Sequence, residues 1–269
     1  GKIDLHIPVG KEVEQQHGSQ QHPGHAAGAT GTEKGGRASP RGRRAQWGVG
    51  VDVFTMKQDY QLKKLEFDLP GVAPIDPEDV DVTNEINHID VKLDVWLTPF
   101  LNVFGLVGHM SADTNVDLGG VALPGLPITL GTLPVDYDGT VYGGGVNLLY
   151  ATERWFVAWN NTWTDADISG DFDSSVTSFI SQPRIGLIRG SWMGYVGGMY
   201  LDTEETHKGD LDLGIPGLGA IPFSVELDNM DEWNYAVGVA YVFSPKAHLS
   251  LEIGFGDRDH TLFNYTYRF

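Results

Sequence analysis

Two short clusters of side chains have the residue types and spacing that catalysis requires. His109 and Ser111 lie two positions apart, so in an extended strand a base and a hydroxyl nucleophile would share one face. Asp257, Asp259 and His260 bring two carboxylates next to an imidazole. A serine and a histidine also need hydrogen-bond contact and an orienting acid, which spacing alone does not establish. Both clusters are candidate catalytic sites that the fold must position.

A second set of charged residues occupies alternate positions of extended segments. From 88 to 94 every second residue is His, Asp, Lys or Asp, and apolar residues lie between them, which is typical of a strand with one polar face. The predicted lumen-lining residues, which would select or bind a small polar or cationic solute, are Asp52, His88, Asp90, Lys92, Asp94, Arg184, Glu252 and Arg268. Charges in a narrow lumen should be paired or hydrated. We therefore expect a Glu252–Arg268 pair and a network of residues 88–94 with Asp52, although a polar plug with a purely structural role explains the same pattern.

The last seven residues place an aromatic side chain at every second position and end on Phe269. Asn264, Thr266 and Arg268 lie between the aromatic residues. This ending resembles the C-terminal strand of bacterial outer-membrane β-barrel proteins, which finish on an aromatic residue, usually Phe. The resemblance implies an outer-membrane location after removal of a signal peptide. It also implies contact with lipid and lipopolysaccharide, and recognition of the Phe269 strand by the barrel-assembly machinery.

The same alternation recurs along residues 46–269 and predicts about ten strands. They lie near 46–62, 81–97, 101–113, 134–151, 155–168, 176–189, 193–206, 222–243, 248–257 and 260–269. Apolar Pro-Gly links on one side and tight turns on the other indicate an antiparallel meander. The predicted fold is all-β, a transmembrane up-and-down antiparallel β-barrel of ten strands, or twelve if the N-terminal segment adds a pair. A two-layer β-sandwich is the competing fold, but aromatic residues near the strand ends favour the barrel.

Composition limits the remaining function classes. Residues 1–45 contain seven Lys or Arg and four Asp or Glu, which is a net charge of +3. Because the whole chain has a net charge of −18, residues 46–269 carry −21. So acidic a body argues against nucleic acid as a partner. We interpret 1–45 as a flexible or plug-like segment and 46–269 as the barrel. The absence of cysteine excludes a disulfide framework, and no cofactor or metal is expected, although three histidines in 15–25 could bind one.

The sequence supports a non-enzymatic function best: a narrow channel for passive passage of a small solute, or a structural surface barrel. The alternative is a barrel hydrolase. His109-Met110-Ser111 is similar to the His/Ser element of outer-membrane lipid A deacylases, which continue with Asn-Gly-Gly where this chain has Ala112-Asp113-Thr114. Asp257–His260 resembles the Asp/His chemistry of omptin-type proteases, which are also ten-stranded. A third hypothesis is a partner-binding surface formed by the long acidic loops.

Overall fold

A computed structural model describes residues 46–67, 80–117, 132–169, 173–211 and 220–269. The segment 1–45 and most of the apolar Pro-Gly links lie outside the described residues. The strands are β1 Gln46–Phe67, β2 Asp81–Trp96, β3 Leu101–Asp117, β4 Thr132–Ala151, β5 Trp155–Ser169, β6 Asp173–Arg189, β7 Trp192–Leu211, β8 Ile221–Asn229, β9 Trp233–Ser244, β10 Ala247–Phe255 and β11 Arg258–Arg268. The described residues include no helix with the length and hydropathy needed to cross a membrane.

The strands form one antiparallel sheet that closes on itself. Each strand from β1 to β7 pairs with the next one along the chain, and β7, β9, β10 and β11 continue the order. Closure comes from β1, which pairs with β11 from Gly48 opposite Arg268 to Gln58 opposite Arg258. The predicted all-β barrel of ten strands is confirmed, and a two-layer sandwich is excluded because the sheet has no open edge at this level.

The barrel has ten strands at one level and eight at the other. The β10–β11 hairpin is short and turns at Gly256 and Asp257. Beyond it, β1 pairs directly with β8, beginning with Tyr60 opposite Asn229. Because β8 also pairs with β7, this level is closed by β1 to β8 alone. Eight strands leave an interior that side chains just fill, whereas ten leave more room.

The predicted single strand at 222–243 is wrong, because β8 and β9 are separate and face opposite ways. Tyr200 pairs with Trp233, but Glu204 pairs with Asp228, a register change of one residue. A one-residue slip moves every side chain to the other face. Leu227, expected to lie with Trp233 on the outside, is therefore buried inside the barrel.

The Asn229 side chain replaces the backbone pairing that is lost at the break between β8 and β9. Its amide group donates to the Leu201 carbonyl oxygen at 2.7 Å and accepts from the Thr203 backbone N–H at 2.9 Å. The carbonyl of Glu232 accepts from the Leu201 backbone N–H at 2.8 Å. These bonds satisfy the β7 backbone where neither β8 nor β9 pairs with it, so the wall stays continuous.

The outer surface of the ten-stranded level is apolar. On β9, Trp233 and Phe243 are each 56% exposed, and Tyr235, Val237 and Val239 lie exposed between them. The two aromatic residues are ten positions apart, about 33 Å along the strand and about 25 Å along the axis at a tilt of about 40°. That height matches the apolar band of an outer-membrane barrel, which aromatic residues border at both interfaces.

The change of face within the 222–243 region can be tested by truncating neighbouring side chains. Leu227→Ala should lower the free energy of unfolding by about 2–5 kcal/mol, because it leaves a cavity in the packed interior. Glu226→Ala, which removes an exposed side chain from the same strand, should change it by less than about 0.5 kcal/mol. Guanidinium unfolding in detergent, followed by tryptophan fluorescence, measures both. Equal effects would contradict the inward placement of Leu227.

Candidate functional site

The ten-stranded level encloses a cavity of about 2180 Å³. Residues of the tight turns line its mouth, among them Pro99, Glu153 and Pro245. Tyr60 and Glu205 line its inner end, where the barrel narrows to eight strands. The described residues therefore form a pocket that opens at the short-turn end of the barrel.

Three ion pairs lie in the lumen: one joins the neighbouring strands β1 and β2, one spans β1 between β11 and β2, and one joins β6 to β10. Lys92 Nζ lies 2.6 Å from Asp52 Oδ2, and Arg268 Nη1 lies 2.7 Å from Asp94 Oδ1. Arg184 binds Glu252 with two hydrogen bonds, from Nε at 2.6 Å and from Nη2 at 2.9 Å. The structure thus brings these six predicted lumen residues into three pairs.

The expected Glu252–Arg268 pair is wrong. In the β10–β11 register Glu252 lies opposite Leu262, so Arg268 is six residues away along β11. Arg268 instead reaches across β1 to Asp94 on β2. Gly48 lies under this crossing, and a Cβ there would stand 2.5 Å from Asp94 Oδ2. The glycine leaves room for the pair, and any side chain at this position would displace it.

A row of amides extends the polar mouth around the barrel. Asn160 donates to Asn147 at 2.6 Å, Asn147 donates to Asn102 at 2.9 Å, and Asn102 donates to Asp94 at 2.5 Å. Sequence reasoning did not single out these asparagines, although each one occupies an inward position of its strand. Because each amide both donates and accepts, the row is satisfied internally and links the Arg268–Asp94 pair to β5.

Asp90 lies opposite Asp52 in the strand register, and both Asp90 and its neighbour His88 remain incompletely hydrogen-bonded. His88 Nε2 and Asp90 Oδ2 are 3.7 Å apart, too far for a hydrogen bond. Asp90 Oδ1 and His88 Nε2 are buried and have no hydrogen-bond partner. Both residues line the cavity. The predicted network with Asp52 therefore forms only through Lys92, and Asp90 stays outside it.

Deeper than the ion pairs, the lumen contains a cluster of apolar side chains, with polar residues such as Thr164, Ser178 and Thr203 also lining the cavity. We call this part the inner chamber; its wall includes Met56, Ile86, Met110, Val141, Ala166, Val176 and Leu201, all buried, with Phe54, Leu106 and Ile180 packed against them. Sequence analysis missed it because it assigned the apolar side chains to the outer face. The available signal was local: Met56, Ile86 and Met110 sit at inward positions, where strict alternation places polar residues.

The candidate catalytic residues are not assembled into a site. His109 and Ser111 point outward from β3 and are exposed on the barrel wall. Asp257 and Asp259 are also exposed, whereas His260 points into the lumen, where its Nε2 lies 3.5 Å from Glu252 Oε1. Asp259 and His260 are thus separated by the wall itself. Within the described ranges, no group of three or more His, Cys, Asp and Glu residues could hold a metal ion.

Comparison with known proteins gives similarity of fold type only. No protein-family model and no curated protein sequence matches the chain. The beta domain of the Bordetella autotransporter Brka matches 83% of this chain and 100% of that chain, with 12% identity and a TM-score of 0.41. The outer membrane protease OmpT from Escherichia coli matches with 12% identity over 84% of this chain and 96% of that chain, at a TM-score of 0.37.

The Pseudomonas putida toluene transporter TodX matches 83% of this chain and 88% of that chain, with 10% identity and a TM-score of 0.29. These structures are bacterial outer-membrane β-barrels, and no specific family is identified. They comprise an autotransporter domain, a protease and a transporter, and their TM-scores are low. The inferences below therefore rest on the side chains of this chain.

The Arg184–Glu252 pair should be far more important for stability than a surface pair. Glu252 is 2% exposed, so Arg184→Ala leaves an uncompensated buried carboxylate and should cost about 3–5 kcal/mol of unfolding free energy. The double variant Arg184→Met/Glu252→Leu should recover most of that loss.

The exposed Lys63–Asp228 pair is the matched control. Lys63→Ala should cost less than about 1 kcal/mol. Denaturant unfolding of the variants in detergent measures the differences. If Arg184→Ala were as mild as Lys63→Ala, the pair would not be buried as described.

Proposed function

We propose that the protein is an integral barrel of the bacterial outer membrane with a closed lumen, a surface barrel that takes a small solute into a pocket and does not conduct it freely. The observation that carries this proposal is the step from ten to eight strands, beyond which side chains occupy the interior. Passive passage of a solute would require this packed section to move.

The packed section is both apolar and hydrogen-bonded. Tyr60 and Leu62 are each 2% exposed and pack with Val82, Val116 and Leu227. At the boundary between the packed section and the cavity, the Tyr60 hydroxyl donates to Glu205 Oε1 at 2.5 Å, and the Tyr137 hydroxyl donates to Glu205 Oε2 at 3.2 Å. Among the described residues, these side chains fill the interior of the eight-stranded section as expected for a barrel of this width, which supports a closed lumen.

The outer wall supports the membrane location. Exposed aliphatic residues such as Ile89, Val91 and Leu93 cover the ten-stranded level, and exposure to water would be unfavourable for a surface of this size. Lipid is therefore the expected partner of this band. Gln46 and Phe269 lie at the short-turn end, which in bacterial barrels faces the periplasm. The pocket then opens to the periplasm.

The hydrolase alternative gains no support from the geometry. His109 and Ser111 are exposed on the outer wall, away from the enclosed lumen, whereas a nucleophile is activated by hydrogen-bond contact with a base and an orienting acid. His260 is inward and is held near Glu252. We therefore keep the closed barrel as the proposal.

Planar-bilayer recording tests the closed lumen. The purified wild-type protein should insert into the bilayer without producing a steady ion current, because side chains from Tyr60 onward fill the described interior of the eight-stranded section. The triple variant Tyr60→Ala/Leu62→Ala/Leu227→Ala should show discrete conductance steps, because it removes three of the side chains that fill the eight-stranded section.

A triple variant of the outer wall, Val51→Ala/Ile89→Ala/Val91→Ala, is the matched control and should stay silent. Heat-modifiable migration on gels verifies that each variant is folded. Steady single-channel currents from the folded wild-type protein would refute the closed barrel.

A further inference from the structure

The lumen combines a charged mouth with an apolar inner chamber, and this combination indicates the chemistry of its ligand. An inner surface without a function in binding would be polar in a barrel of this width, because water fills the space. The Lys92–Asp52 and Arg268–Asp94 pairs, the amide row and Asp90 instead lie on the mouth side of the inner chamber, where an apolar cluster supplies much of the wall. A molecule with one polar end and one apolar end matches this order.

Asp90 selects the charge of the polar end. The charged zone of the described lumen contains four carboxylates, on Asp52, Asp90, Asp94 and Glu252, and three cations, on Lys92, Arg184 and Arg268. Each cation is paired with a carboxylate other than Asp90. Asp90 is 6% exposed and keeps one oxygen without any hydrogen-bond partner. A buried carboxylate without a fixed cation favours a ligand that supplies positive charge and N–H donors.

We infer that the pocket binds a single-chain amphiphile with a cationic amine head, the head at Asp90 and the alkyl tail in the inner chamber. This inference rests on the proposed closed barrel, because a through-pore would leave the chamber water-filled.

The inward placement of Asp90 depends on a glycine of the neighbouring strand. Its strand neighbours are Asp52 on β1 and Gly108 on β3. A Cβ on Gly108 would stand 2.6 Å from the Asp90 Cβ, so a side chain there would collide with the aspartate. The glycine therefore lets β3 pack closely against Asp90 and holds the aspartate at this inward position.

The inner chamber is long enough for an alkyl chain. From Asp52, level with Asp90, to Tyr60 at the inner end is eight residues along β1. That is about 26 Å along the strand and about 20 Å along the barrel axis at a tilt of about 40°. Beyond the aspartate this path passes His88 and Phe54 and then reaches the apolar Ile86, Met56 and Met110. A decyl chain would fit between Asp90 and the Tyr60–Glu205 contact.

Native mass spectrometry of the full chain, released from lipid nanodiscs, tests the inference with three probes of equal length. Decylamine should bind at one molecule per barrel, and at least about tenfold more tightly than decan-1-ol or decanoate. Asp90→Asn, which keeps the shape of the side chain, should remove this preference. Asp113→Asn, which changes an exposed acid on the outer face of β3, should leave it intact. Ala166→Leu, which fills part of the chamber, should weaken binding of all three probes.

Several results would overturn the inference: no decylamine adduct on the wild-type protein, decanoate binding equal to decylamine, or an Asp90→Asn variant with the wild-type preference. Bilayer recordings on the same preparation separate the two proposals. A silent protein that binds no amine refutes the amphiphile site and leaves the closed barrel standing, whereas a steady current refutes the closed barrel itself.

Discussion

Closure of the backbone hydrogen-bond ladder is the constraint on which the rest of this structure depends. No water satisfies exposed N–H and C=O groups in a bilayer, so a sheet crosses it only as a closed cylinder. In this barrel the sheet closes at two levels, each with its own pair of strands. At one level β1 pairs with β11, and beyond the short β10–β11 hairpin the same strand pairs with β8. Asn229 bonds the β7 backbone at the junction where neither pairing operates.

The number of strands at each level then determines what the interior holds. Eight strands leave only the volume that Leu62, Val82 and their neighbours fill, so this level is solid. Ten strands leave a cavity, and six of its charged groups form three ion pairs because isolated buried charges are costly. Two of these pairs join strands that are not neighbours, and Arg268 reaches Asp94 past β1 over a glycine. The position at which the β10–β11 hairpin ends therefore sets where the barrel narrows from ten strands to eight, and so where the cavity with its ion pairs gives way to the packed section.

The sequence predicted the barrel well, because period-two alternation and terminal aromatic residues report directly on a wall with lipid on one side. The inward positions of Asp52, Lys92, Asp94, Arg184, Glu252 and Arg268 followed from the same parity. Their pairing did not, because it depends on strand register and on glycines such as Gly48 that let side chains cross a strand. The break before Trp233 was also missed, because apolar residues occupy odd positions on both sides of it, up to Leu227 and again from Trp233, while the register slips by one. The inner chamber was missed because the residue type alone does not distinguish an apolar side chain that faces the lumen from one that faces lipid.

The blocked lumen is tested most directly by labelling a single cysteine from each side of the membrane, since the chain contains no cysteine of its own. Asn160→Cys places a thiol in the cavity, and Glu204→Cys places a control thiol on the outer face of the eight-stranded level. In intact cells a small membrane-impermeant maleimide should label Glu204→Cys but not Asn160→Cys, and permeabilising the outer membrane should expose Asn160→Cys from the short-turn end. Labelling of Asn160→Cys in intact cells at the rate of the control would show a continuous path through the barrel and contradict the blocked lumen.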